Sequence, residues 1–373
     1  MNQKDVKMVE IQDANNDYFF EGAEKLLEMW FRKEDEPEAT SLRNIPREEI
    51  VRMLEVAQCH ILHHQSNDHL DSYVLSESSL FISDTRLILK TCGATRLLAA
   101  IPVILKLAKK YAGMRIVEDV YYSRKNFLRP HLQPEPHHSF EREVAVLSHY
   151  FPGGSAYCMG PLNTDRWYLF TMSRRQSPPS HADHTLEVLM TEIPEEVLKT
   201  FSQIVCKDGK ECTKKSGIAQ LVPYGTEIHE ELFEPVGYSM NGLVKDTEQY
   251  VTVHVTPEPD FCFVSFETNQ RGQCLYKQTL KVLDTFKPNS FMLTLFSNEE
   301  SRHGKLVQNR LWQEEIPGYE RISLQYMHVG YDTLIYAQFR KKDNGATFAR
   351  LRQKIYSEAN SEMDDDDSNG SEV

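Results

Sequence analysis

Residues 72–83, SYVLSESSLFIS, and residues 86–91, RLILKT, decide the fold. Aromatic, β-branched and leucine side chains dominate both, and the polar pair Asp84-Thr85 lies between them, which predicts a β-hairpin. The same signature recurs down the chain. Val251, Val253 and Val255 alternate with Thr252 and His254, and Phe261 and Phe263 repeat the period of two that marks strands with one buried face. Further strands are expected at 117–123, 155–160, 166–172, 184–191, 226–231, 249–256, 261–268, 291–297, 320–329 and 332–340. Helices are expected from Pro46 to about Gln58, from Thr95 to Tyr111, over Phe140–Tyr150, near Pro194–Ser202 and over Cys274–Phe286. Strands in hairpin-like pairs with an occasional helix predict antiparallel sheets covered by helices, an α+β layered fold. Similar strand–strand–helix runs in the two halves admit an internal duplication.

The first periodic element reads differently. Phe20, Ala23, Leu26, Leu27, Trp30 and Phe31 fall at helical spacing, which predicts a helix from Phe20 to Lys33. On it Glu21, Glu24 and Glu28 would form an acidic stripe beside the apolar face, and like charges so spaced call for a cation.

With 373 residues, 40% of them hydrophobic, the chain can bury a core as one large or two ordinary domains. Its 42 basic and 55 acidic residues give a formal charge of −13, which argues against a nucleic-acid partner. The run Leu97–Leu105 is the longest apolar stretch and contains Pro102, so no membrane span is expected. Charges interrupt the first twenty residues, so no secretory signal is expected either. Seven cysteines without a Cys-x-x-Cys pair fit reduced thiols in the cytosol. Residues 1–17 are expected to be a flexible extension, 18–345 a single domain, and 346–373 a helix end followed by a disordered acidic tail.

Three features break local rules, and such breaks tend to mark function. One is the glutamate stripe. A second is Ser76-Glu77-Ser78-Ser79, which interrupts a hydrophobic strand pattern with residues that compete for backbone groups. The third is Gly237–Gly242, GYSMNG, followed by His254 inside a Val/Thr strand and by Pro257-Glu258-Pro259. Taken singly, each has an ordinary reading: an exposed face, an edge strand, a satisfied core histidine. His60, His63, His64, His137 and His138 lack a matched ligand set, so no metal is expected.

Together the strings add up to more. FFEGAEKLLE (19–28), YVLSESSLF (73–81), LKTCG (89–93), YYSRKNF (121–127), AYCMG (156–160), HTLEVLM (184–190), GYSMNG (237–242), VHVTPEP (253–259) and SFETN (265–269) resemble, in order, the eukaryotic S-adenosylmethionine decarboxylase proenzymes. The resemblance runs from about Tyr18 to Phe339.

It implies a four-layer αββα sandwich and a self-processing carboxy-lyase of polyamine biosynthesis, with neither metal nor pyridoxal phosphate. The chain would cut itself between Glu77 and Ser78 and turn Ser78 into a pyruvoyl group, whose ketone takes the substrate amine as a Schiff base. His254 matches the processing base and Ser239 the second processing residue. Cys92 matches the proton donor of turnover, and Glu21 and Glu24 match active-site acids. Phe20, Phe233, Glu77 and Glu258 match the substrate-binding set, the two phenylalanines stacking on adenine and Glu258 accepting from the ribose hydroxyls. Glu28, Lys90, Ser123, Asp183, Thr185, Glu187 and Glu267 match the pocket that binds the activator putrescine in animal members. Two departures touch that pocket: Tyr121 stands where animal relatives often have Phe, and His184 follows Asp183 in place of Gln. A homodimer of the two-chain unit is expected by the same resemblance. The alternative from a different class is a processing-deficient regulatory subunit.

Overall fold

The computed structural model describes residues 20–33, 41–258, 261–272 and 274–342. The expected extension 1–17 and the tail 346–373 lie outside the described residues. Among the described residues sixteen strands form two eight-stranded antiparallel sheets. The first sheet comprises β1 Lys25–Phe31, β2 Ile61–Ser66, β3 Asp71–Leu75, β4 Ser78–Ile82, β5 Arg86–Thr91, β6 Val117–Lys125, β7 Ser155–Met159 and β8 Trp167–Ser173, in the spatial order β2-β3-β4-β5-β1-β6-β8-β7. The second comprises β9 His184–Thr191, β10 Glu227–Leu232, β11 Tyr238–Leu243, β12 Tyr250–Thr256, β13 Phe263–Thr268, β14 Ser290–Asn298, β15 Tyr319–Val329 and β16 Asp332–Lys341, in the order β10-β11-β12-β13-β9-β14-β16-β15. The second order is the first with eight added to every strand number, so the two halves share one topology.

Three apolar layers separate four structural ones. Leu27, Met29, Leu80, Leu89 and Tyr122 of the first sheet pack against helices α1 Arg47–Ala57, α2 Ile101–Ala112 and α3 Phe140–Tyr150. The second sheet has its own helical cover: the short α4 Glu195–Leu198 and α5 Gly209–Lys215, with α6 Leu275–Phe286 and α7 Arg302–Gln313, over Val188, Met240, Val253 and Phe266. Between the sheets lie Trp167, Leu189, Met292 and Tyr336, and separately Phe81, Ile88 and Tyr250. Among the described residues no helix is long and apolar enough to cross a membrane.

Two expectations need correction. Phe20–Lys33 is not a helix: residues 25–31 form a central strand, paired with β5 on one side and β6 on the other. A strand buried on both faces is apolar nearly throughout, and Leu26-Leu27 and Trp30-Phe31 imitate helical spacing. Glu28 therefore shares the face of Leu26 and Trp30, looking toward the other sheet, while Leu27, Met29 and Phe31 face the helices. Residues 72–83 are not one strand but two, β3 and β4, closed by Ser76-Glu77 with Leu75 paired to Ser78. A two-residue hairpin loop ordinarily uses glycine or asparagine to supply positive φ. Here the positive φ falls on Ser78 at +136°, a region that is nearly glycine-only.

Candidate active site

The site lies where β1, β4 and β5 face β9, β11, β12 and β13. Period-two alternation sends Val188, Met240, Val253 and Phe266 to the helix side and leaves Glu187, Ser239, Asn241, Thr252, His254 and Glu267 on the opposite face. Those polar side chains meet Ser79 and Lys90 of the first sheet and Glu24, the residue just before β1.

The cross-strand register pairs Ser239 with His254, and the imidazole Nδ1 lies 2.8 Å from Ser239 Oγ. Its Nε2 lies 2.8 Å from Thr252 Oγ1 and 3.0 Å from Ser79 Oγ. Asn241 Oδ1 accepts from both hydroxyls, from Ser79 at 2.7 Å and Thr252 at 2.9 Å, and its amide donates to the Tyr73 carbonyl. Burial pushes the His254 imidazole down to about 4, partly opposed by Glu24, so it is neutral near pH 7.

Ser78 donates to Glu24 Oε1 at 2.5 Å. The carbonyl of Glu77, on the bond preceding Ser78, accepts the Cys92 backbone N–H at 2.9 Å and the Cys92 thiol at 3.3 Å. Two donors from one residue thus polarise that carbonyl. Burial, with Glu77 and Glu24 nearby, pushes the Cys92 thiol well up, so it holds its proton. Burial likewise brings Glu77 up to about 7.

The segment before β1 is held by contact. A Cβ on Gly22 would meet the Thr256 side chain at 2.3 Å, and one on Gly93, whose φ is +59°, would meet the Phe20 ring at 2.5 Å. Phe20 therefore lies over the Cys92-Gly93 turn, and Phe233 stands beside Gly237. Glu21 turns away from Glu24 and accepts from the backbone N–H groups of Leu128 at 2.5 Å and Arg129 at 3.4 Å. Glu258 Oε2 is buried with no hydrogen-bond partner, and burial raises its carboxyl.

Lys90 is the cation that the glutamates require. Fully buried, it lies 2.8 Å from Glu267, 3.4 Å from Glu24 and 3.8 Å from Glu187. Burial opposes its charge, but those carboxylates outweigh burial and hold the ammonium above its usual range. For Glu24 burial is likewise the largest influence; the Lys90 ammonium, with the hydrogen bond from Ser78, outweighs it and keeps the carboxyl low. Glu187, further from Lys90, is pushed up to about 8 by burial.

A cavity of about 290 Å³ opens beside this cluster. Glu28, Ser123, Asp183, Thr185, Glu187 and Glu267 line it. Its charge is only partly balanced: Arg86 holds Glu28 at 2.9 Å and Arg175 holds Asp119 at 2.6 Å. Asp332 also lines the cavity; Tyr121 donates to it at 2.5 Å, and burial raises its carboxyl to about 7. A second cavity, of about 510 Å³, is lined in part by Glu21, Lys125 and Phe261.

Ser79, Asn241, Thr252, Asp332 and Arg86 escaped assignment from sequence. The available signal was polar residues at alternate positions of otherwise apolar strands. Of the histidines, His137 is fully buried with Nδ1 2.7 Å from Glu143, and His63 contacts Glu231 at 2.8 Å.

A family model described as adenosylmethionine decarboxylase matches residues 17–340. The chain is 54% identical over 334 residues to the S-adenosylmethionine decarboxylase proenzyme of Caenorhabditis elegans, covering 89% of this chain and 91% of that protein. It is 56% identical over 332 residues to the proenzyme of Onchocerca volvulus, with the same coverages, and 42% identical to that of Xenopus laevis, covering 87% of this chain and 96% of the relative. In fold it is similar to the crystal structure of the Trypanosoma brucei AdoMetDC-delta26 monomer, with a TM-score of 0.53 at 24% identity over 71% of this chain and 99% of that one.

Proposed function

The chain belongs to the adenosylmethionine decarboxylase family and is a carboxy-lyase; from that premise and the site geometry we propose a precursor that cuts itself between Glu77 and Ser78 and then decarboxylates S-adenosylmethionine. The observation that carries the self-cutting is the state of that one bond. Its carbonyl is gripped by two Cys92 donors and the residue after it is strained. An N→O acyl shift by the Ser78 hydroxyl would relieve the strain, and the donors would stabilise the oxyanion it creates. Glu24 orients that hydroxyl. His254, neutral and aligned by Ser239, would then take the Ser78 α-proton, so that the ester breaks by β-elimination. Elimination frees the Glu77 carboxylate and leaves a dehydroalanine at residue 78. Its enamine would tautomerise to an imine, and water would replace the nitrogen, released as ammonia, to give residues 1–77 and a chain that begins with a pyruvoyl group.

The residues around Ser78 fit such a group: a reactive carbonyl there would have Cys92 and Glu77 beside it. When formed, it supplies an electrophilic ketone that accepts electrons as carbon dioxide leaves. Phe20 and Phe233 would hold the adenine, and the orphaned Glu258 carboxylate would accept the ribose hydroxyls. Cys92, protonated by its burial, would return a proton to the substrate carbon. The catalytic unit is residues 18–345, cut but not separated. The cavity walled by Glu28, Asp183, Glu187 and Glu267 would take putrescine as activator, since a dication offsets carboxylates that Lys90 alone does not balance. Ser78→Ala tests the whole reading: it should leave one uncut chain that releases no carbon dioxide, and normal release from that variant would overturn it.

A further inference from the structure

Lys25, the first residue of β1, is fully buried, and among the described residues no carboxylate lies within ion-pair distance of its ammonium. It donates instead to the Gly93 carbonyl at 2.9 Å and to Gln133 Oε1 at 3.3 Å, and lies 5.3 Å from the centre of the Phe127 ring. Of the carboxylates that feel this charge, Glu143 holds Arg124 at 2.8 Å, His137 at 2.7 Å and Tyr122 at 2.6 Å, Glu21 accepts from backbone amides, and Glu77 lies beyond ion-pair distance. Arg124, the cross-strand neighbour of Lys25, adds repulsion. An unpaired ammonium in such a place is strongly unfavourable, and burial drives it down to about 8. Neither Gly93 nor Gln133 requires a charge; an amide side chain would serve as donor.

The charge faces the site. The Lys25 ammonium is bonded to the carbonyl of the residue next to Cys92, and a negative charge on the Cys92 sulfur would favour that ammonium ahead of Glu143 and Glu21. Seen from Cys92, Lys25 opposes the effects of burial, Glu77 and Glu24. Gly93 carries the ring of Phe20, so the one ammonium tethers the turn that holds both the thiol and that ring.

We infer that Lys25 is the counter-charge of Cys92: through the Gly93 carbonyl it fixes the Cys92-Gly93 turn, and it stabilises the thiolate left when Cys92 delivers its proton. This rests on the reading of Cys92 as proton donor. In that step the S–H bond breaks, a C–H bond forms at the substrate α-carbon, and the S–H electron pair stays on sulfur. Water restores the thiol after product leaves. Lys25 acts through Cys92 and the Gly93 carbonyl, so it is a positioning residue.

Lys25→Met tests this with three readouts on the full chain: melting temperature, kcat against KM, and site-resolved alkylation of Cys92 by iodoacetamide from pH 6 to 10, read by peptide mass. The expected variant melts no lower than wild type, loses at least tenfold in kcat with KM little changed, and shows its Cys92 alkylation profile at least one pH unit higher. A Cys92 profile that does not differ between the two proteins overturns the inference, whatever happens to kcat, as does unchanged kcat. Cys92→Ala separates the parent reading: near-normal turnover there removes Cys92 as donor, whereas poor turnover with an unshifted Lys25→Met profile removes only the role of Lys25.

Discussion

Lowering the pH of the uncut chain perturbs His254 in a way whose size follows from the structure. An ordinary imidazole near 6.5 is about 9% neutral at pH 5.5. One driven down to about 4 by burial is about 97% neutral there. Since the neutral form is the one that can take the Ser78 α-proton, self-cutting should keep almost its full rate from pH 8 to pH 5, then fall about tenfold per unit below 4. A solvated histidine in the same role would already have lost about tenfold at 5.5. The assay is a cell-free translation pulse diluted into buffers from pH 3 to 8, with the fraction cut followed on denaturing gels and circular dichroism confirming the fold at each pH. A tenfold loss between pH 7 and 5.5 in folded protein would refute the burial argument, and a rate indifferent to pH down to 3.5 would remove His254 as the base.

Other outcomes follow from the same geometry. Lys90→Met leaves Glu24, Glu187 and Glu267 without their shared ammonium and should cost about 3–5 kcal/mol in urea unfolding, so an unchanged midpoint would contradict the cluster's electrostatics. The Asp332 carboxyl, raised to about 7, is about 9% ionised at pH 6 and about 91% at pH 8. Ionisation favours an ammonium ligand, so half-maximal putrescine should fall up to about tenfold as pH rises over that span. Glu187, raised to about 8 in the same cavity, ionises over that span too, so Asp332→Asn should make the trend shallower without abolishing it, and an equally steep trend in the variant would exclude Asp332. Glu267→Gln should weaken the putrescine response at every pH; a response identical to wild type would sink the assignment of the cavity.

Much of this molecule is legible in its sequence, and the parts that are not have physical reasons. Strands with one polar face, such as β12 and β13, announce themselves by alternation, and their buried Val251, Val253 and Val255 all reach the helix-side core. Central β1 does not, because both of its faces are covered. The hairpin β3–β4 hid because Ser76-Glu77 carries none of the usual turn residues, and its strain appears only as the φ of Ser78. Helix α7 escaped because it buries little beyond Gly304, Val307, Gln308 and Leu311. For the site, the residue types were readable but their company was not. Lys90 and Glu267 meet across 177 residues of sequence, and Ser79 meets His254 across 175. Glu21 and Glu24, neighbours in a helical reading, point to different partners, one to backbone amides after β6 and the other to Ser78. Lys25 drew no notice in the sequence, since only its burial without a carboxylate sets it apart.

The most direct test of the central claim is the intact mass of freshly purified protein under denaturing conditions. Two species, one of residues 1–77 and one beginning at residue 78 with a pyruvoyl group in place of the serine, are the predicted result. A single species carrying all 373 residues and an unmodified Ser78 would contradict it, and would favour the processing-deficient regulatory subunit.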